Sequence, residues 1–389
     1  MPVSPLVPAV AAYTARVLPE LLDLGPATSA LAPWMLAALV SPGASGAART
    51  DLERELGLRA DDAAREVSTL LERGPVALRS AIALWRSPAL ATDGELGAWE
   101  RRVAPAAATG PVPTQPEADA WTDQATLGMI RRFPVPITPD IACLLAAAIT
   151  TRIRWDEPLR TDAAPSNDWN LARMLYAGPN GVYATDAGLV GVASGGSWAD
   201  RLAVYSFISE PGVSRADLAG VAMRLVGAWH AGGRMPDWAW QMPPAKLPVE
   251  GHAWTTEAGH GDGSAMVPAF AEACDGVDVS TLPAVREAAV EYGRLVTDAL
   301  PKDLRPASVE ARLSAVARYD RLGFEAAAVA AIAARPAAVP AERRVLHLRF
   351  TRPHLVIAVA TDETYSGLPL FAAWVDAGVR EPDEAGDDV

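Results

Sequence analysis

The chain has 389 residues, half of them hydrophobic and 21% charged, and a net charge of −13. So apolar a chain can build a sizeable core and is not a disordered one, while the acidic balance argues against nucleic acid and anionic membrane as partners, since both are recognised through basic patches. Two cysteines, Cys143 and Cys274, cannot make a disulfide framework and are expected to be reduced; no stretch of about 18 uninterrupted apolar residues, long enough to cross a membrane, occurs.

In chain order, apolar residues at helical spacing predict a helix over Leu6–Leu24 and a buried helix over Trp34–Val40, stopped by Pro42 and Gly43. Thr50 and Glu53 stand at the spacing of a capping box and predict a further helix start there. Ala77–Leu84 reads as a strand or short helix, the proline-rich stretch Pro105–Pro116 as a loop, and Trp121–Ile130 as a helix. The apolar run Ile141–Arg154 suits a fully buried strand. Shorter segments with Gly, Asn and Asp turns follow, at Leu171–Tyr176, Gly181–Tyr183, Leu189–Ala193 and Leu202–Ser209, and read as antiparallel strands. A helix is predicted over Ala216–Trp229, then a loop to Ser264, a strand over Ala265–Phe270, a helix over Leu282–Leu300, and closing strands at His347–Phe350 and His354–Ala360. No linker or repeat divides the chain, so one α+β domain over residues 1–379 is expected, followed by a frayed acidic tail, 380–389.

The N-terminal residues MPVSPLVPAVAAYTAR have no early positive charge and are broken by prolines, so they do not read as a signal peptide, and a cytoplasmic protein is expected. Lysine occurs only at Lys246 and Lys302, with arginine elsewhere and abundant alanine, a composition that suggests a GC-rich bacterial coding sequence.

Chemistry-bearing patterns are few. The histidines His230, His252, His260, His347 and His354 have no HExxH or paired spacing and the cysteines no CxxC spacing, so no metal or other cofactor is expected. The loop GHGDGS, Gly259–Ser264, lacks the strand and lysine of a phosphate loop. Ser194 and Ser197 miss the G-x-S-x-G elbow by their spacing. Trp229, Trp238, Trp240 and Trp254, interleaved with His230 and His252, read either as core or as an aromatic ligand platform. None of these is an enzyme signature.

The segment Gly323–Ala334, GFEAAAVAAIAA, is ambiguous by itself. Alanine has the best helix propensity, yet as a strand Phe324, Ala326, Ala328, Ala330 and Ile332 would enter a sheet on one face.

Several motifs in order resemble the serpin family. GASGAARTDLERELG, Gly43–Gly57, resembles a Gly-Ala turn between two N-terminal helices. In DAWTDQATLGMI, Trp121, Thr126, Gly128 and Ile130 match a helix signature whose asparagine is Asp119 here. LLAAAITTRIRW retains Ala148 and the terminal Trp155 of a central strand; MVPAF, LRFTRPHLVIAVA and LPLFAAWV resemble later strands, with Arg352, Pro353, Leu370 and Phe371 matching.

The resemblance implies a serpin fold: N-terminal helices on a large central sheet, smaller sheets, and an exposed reactive-centre loop. It places the loop hinge, usually E-E-G-T-E-A-A-A, at Gly323, Phe324, Glu325, Ala326, Ala327 and Ala328. It also implies suicide inhibition of a serine protease, whose cleavage of the loop lets the loop enter the central sheet as a new strand. The bait then lies among Arg335, Ala337, Ala338, Val339 and Glu342, and an Ala337-Ala338 bond suits elastase-like or subtilisin-like enzymes. The polar cluster that holds the family's sheet shut maps to Ser29, Ala32, Ala147 and Leu313, with the breach tryptophan at Trp155. Phe324 stands where the family carries a small residue, and three of the four cluster positions are apolar, so the alternative is a serpin-fold binding or scaffold protein that does not inhibit. A monomer is expected in either case.

Overall fold

The computed structural model describes residues 3–155, 160–161, 169–174, 181–232, 254–259, 263–301, 309–320, 322–324 and 343–376. Among these, the helices are α1 Leu6–Leu24, α2 Leu31–Val40, α3 Gly46–Leu56, α4 Ala60–Arg73, α5 Glu95–Val103, α6 Gln115–Ala125, α7 Arg215–His230 and α8 Pro283–Ala299. The strands are β1 Ala27–Thr28, β2 Leu78–Arg86, β3 Ala108–Pro111, β4 Cys143–Thr151, β5 Ile153–Arg154, β6 Arg160–Thr161, β7 Trp169–Met174, β8 Gly181–Thr185, β9 Gly188–Ser197, β10 Leu202–Ser209, β11 Trp254–Gly259, β12 Gly263–Pro268, β13 Phe270–Asp278, β14 Arg312–Tyr319, β15 Gly323–Phe324, β16 Arg343–Arg349, β17 His354–Ala360 and β18 Pro369–Val375. They fall into two compact units: Met1–Thr151 with Ala273–Val316 and Asp362–Leu370, and Arg152–Glu272 with Ala317–Thr361 and Phe371–Val389.

In the first unit, helices pack around a sheet ordered β3-β2-β4. β2 and β4 are antiparallel over nine pairs, from Leu78 opposite Thr151 to Arg86 opposite Cys143. The two faces of β4 are told apart by their neighbours. Ala146 packs with Ala83, Trp85, Ala118 and Phe133, and the half-buried Trp121 of α6 covers that cluster; Trp85 meets Trp121 edge-on, ring centres 5.2 Å apart. On the opposite face the Tyr292 hydroxyl of α8 donates to Cys143 Sγ at 2.8 Å. Desolvation pushes that thiol up to about 11, so the half-buried cysteine acts as a small hydrophobe rather than a nucleophile. Even-numbered residues of β4 therefore lie on the α6 side and odd-numbered ones on the opposite side, where Tyr292 of α8 meets Cys143.

α6 starts at a true capping box, in which Thr114 N donates to Glu117 Oε2 at 2.7 Å. It ends earlier than the sequence predicts, because Leu127 (φ 56°) and Gly128 (φ 83°) turn left-handed and Thr126 Oγ1 takes the Ile130 N–H at 3.0 Å. Asp119 accepts from Phe133 N at 2.8 Å and ties the following segment back onto the helix. That hydrogen bond holds its carboxyl below the usual carboxylate range.

The capping box predicted at Thr50 and Glu53 does not form. α3 begins at Gly46, Thr50 Oγ1 donates to Gly46 O within the helix, and Glu53 instead accepts from Ala60 N at 3.0 Å, at the start of α4. The predicted loop Pro105–Pro116 contains β3, parallel to β2, and the predicted loop up to Ser264 contains β11, antiparallel to β16. β13 was not predicted beyond Phe270.

In the second unit a meander β8-β9-β10 continues through β17 to β18. β10 pairs with β17 from Leu202 opposite Ala360 to Phe207 opposite Leu355. Every residue of β17 is buried, which is why its sequence is continuously apolar rather than alternating. α7 seats Trp229 parallel to Phe207 (6.2 Å, 7°) and within 5.6 Å of Tyr183, and Tyr205 Oη lies 3.1 Å from His230 Nε2. Trp229 and His230 thus complete a core. Trp238, Trp240, His252 and His260 lie outside the described residues, and Trp254 opens β11. Ser197, set in β9, accepts from Asp200 N and caps the turn to β10. A second sheet runs β11-β16-β12-β7-β6.

His354 is fully buried, edge-on to Phe350 at 5.0 Å, with Nε2 lacking a partner among the described residues. Burial lowers its pKa to about 4. Since the unfolded value is near 6.5, the unfolded chain binds the extra proton between these limits, so the stabilisation is full above pH 6.5 and is lost as the pH falls toward 4, by on the order of 3 kcal/mol. Urea denaturation at pH 7 and 4.5 is expected to show that loss in the wild type and a loss smaller by this amount in His354→Phe.

Candidate functional site

The second unit contains a tight junction between β14 and the region from which the predicted loop departs. β15 is antiparallel to β5, with Gly323 opposite Arg154 and Phe324 opposite Ile153. Alternation across the pair sends Ile153 and Phe324 inward, at 1% and 5% exposure, and leaves Arg154 outside. Arg152, one residue before β5, is exposed as well.

Trp155 closes this pair. Its N–H donates to Leu322 O at 3.0 Å and its indole Nε1 to Asp320 O at 2.8 Å. The indole is buried against Tyr319, ring centres 5.0 Å apart, and Tyr319 stacks on Phe270 at 5.6 Å. Burial raises the Tyr319 phenol well above its ordinary value, which keeps the stack neutral. β9 passes so close to Trp155 that a Cβ on Gly195 would lie 3.2 Å from the ring, so the glycine there serves the approach of strand to indole. Asp320 organises the turn: its Oδ1 accepts from Leu322 N at 2.7 Å and Gly323 N at 2.9 Å, and its own N–H donates to Gly323 O at 3.1 Å.

The structure brings together Trp155, Gly323 and Phe324 of the predicted residues. Glu325, Ala326, Ala327, Ala328, Arg335, Ala337, Ala338, Val339 and Glu342 lie outside the described residues. Phe324 is already a strand residue, paired with Ile153 of β5 and buried. The sequence reading missed Asp320 and Gly195. An aspartate three residues before a glycine is a turn signal that would have pointed to Asp320; nothing local marks Gly195, whose constraint is a neighbour distant in sequence.

The four remaining predicted positions lie in the first unit. Ser29 Oγ donates to Leu370 O at 2.7 Å and accepts from Leu31 N at the start of α2. Ala32 and Leu313 are buried and Ala147 is half-buried. Ser29 thus satisfies its hydroxyl on backbone, without polar side chains at the other three positions. Among the described residues β4 pairs only with β2 and β14 only with β13, so each keeps one edge without a ladder.

No family model matches the chain, and no curated protein matches it significantly in sequence. Solved structures do match over nearly its full length. Native tengpin, a thermophilic serpin, matches at 13% identity with a TM-score of 0.65, covering 94% of this chain and 92% of that one. Serine protease inhibitor (serpin) 12 of Manduca sexta matches at 14% identity and 0.63, covering 96% and 99%. Human thyroxine-binding globulin, solved with its thyroid hormone, matches at 13% and 0.62, covering 95% and 97%. The chain has an α+β serpin fold.

Proposed function

From a chain with the serpin fold, we propose an inhibitor of serine endopeptidases that is cleaved in the segment 335–342 and then adds the residues after Phe324 to its own sheet. The observation that carries this reading is the β5–β15 pair, a strand already begun at the root of the loop. On insertion, that register continued along the chain would set Glu325 across from the exposed Arg152, Ala326 across from Thr151, Ala328 across from Ile149, Ala330 across from Ala147 and Ala334 across from Cys143. The segment's one charge then meets an opposite charge, and Ala326, Ala328, Ala330 and Ala334 fall on the same side of β4 as Cys143, Ala147 and the buried Ile149 and Thr151. The free edge of β4 is a template for such a strand. The Manduca sexta relative in fold, a serine protease inhibitor by name, points to the same class of target.

Incubation with elastase and with subtilisin tests this. An inhibitor gives a covalent complex that survives denaturing electrophoresis, and the cleaved product melts well above the intact protein. Clean nicking with neither outcome sinks the proposal. It would leave the second reading, a serpin-fold binding protein, which the fixed and bulky Phe324 at the hinge favours.

A further inference from the structure

Asp320 spends every polar group except Oδ2 on the hinge turn. One carboxylate oxygen receives two successive backbone N–H groups, the carbonyl receives the Trp155 indole, and the N–H closes onto Gly323 O. The side chain bridges from the end of β14 at Tyr319 to the start of β15 at Gly323. A strand as short as β15 specifies its own register weakly, because two residues offer few contacts and a slip by one would turn Phe324 outward. The Asp320 turn removes that freedom by fixing the path of the chain from Tyr319, anchored on Phe270 and Trp155, to Gly323.

We propose that Asp320 is a positioning residue that sets the register of β15 against β5 and so holds the hinge at Phe324. This rests on the inhibitor reading for its consequence: after cleavage, insertion competes with hydrolysis of the acyl bond, and a hinge in register starts insertion without a search. Asp320 touches no protease and no scissile bond; it acts through Gly323 and Phe324.

Two variants test it. Asp320→Asn keeps an oxygen acceptor for both N–H groups, whereas Asp320→Ala removes it. Hydrogen exchange of the intact protein is expected to show the Leu322 and Gly323 amides exchanging at least about tenfold faster in Asp320→Ala, with Asp320→Asn near wild type. The number of inhibitor molecules consumed per protease trapped is expected to rise several-fold in Asp320→Ala and to be rescued in Asp320→Asn. Unchanged exchange in Asp320→Ala overturns the proposal. Faster exchange with an unchanged number consumed overturns it too, since Asp320 would then be a turn residue without effect on insertion. A wild type that traps no protease removes the inhibitor reading and with it the consequence assigned to Asp320, while the exchange data still report on the latch. If Asp320→Ala does not fold, Asp320→Ser, with a shorter acceptor, gives the same comparison, and equal exchange in Ser and Asn variants overturns the proposal.

Discussion

On the inhibitor reading, replacing Ala328 by arginine is expected to turn the protein from a trap into a substrate. In the proposed insertion, the register of β15 on β5 continued along the chain sets residue 328 across from Ile149, a buried residue of β4. Burying a guanidinium beside Ile149 costs several kcal/mol, so with each 1.4 kcal/mol worth a factor of ten, complex yield is expected to fall by more than about a hundredfold. Cleavage should continue, because residue 328 lies well before the bait. Glu325→Arg is the control: it sets like charges across the strand from exposed Arg152, a penalty of about 0.2–1 kcal/mol. Densitometry of complex against cleaved product reads both. An Ala328→Arg variant that traps as well as the wild type would show the register, and the insertion it describes, to be wrong.

Trp155→Ala is expected to cost about 3–5 kcal/mol of stability. The ring is buried between Tyr319 and the backbone at Gly195, so its removal leaves a cavity no neighbour is placed to fill. It also orphans the Asp320 carbonyl. Trp155→Phe keeps most of the packing and loses the indole hydrogen bond, for which about 1 kcal/mol is expected. Urea denaturation followed by circular dichroism separates the two variants. Equal stabilities would mean the hydrogen bond, rather than the ring, carries the site.

Elements whose own residues bury most of their surface were legible. α1 and β17 appear with the predicted bounds because a helical apolar stripe and an unbroken apolar run each have one economical solution. β11 and β13 were not legible: TTEAG and AEACDGVD carry no strong alternation, and each is a strand because a partner, β16 or β14, supplies the ladder. Thr50 and Glu53 show the opposite error. Their spacing fits a cap, but α3 had already begun, and Glu53 serves the neighbouring helix instead.

At the candidate site the sequence marked Trp155 and Gly323 through motif resemblance and read Phe324 as an obstacle. The register of β15 against β5 makes Phe324 an anchor, buried beside Ile153. By itself the sequence determined the class of fold and the run of small side chains after Glu325, because composition and order of motifs are properties of the chain alone. Only the tertiary structure decided that Phe324 is already paired with Ile153, that Asp320 closes the turn before it and that Gly195 makes room for Trp155, because each depends on which distant backbone stands within hydrogen-bonding or van der Waals distance.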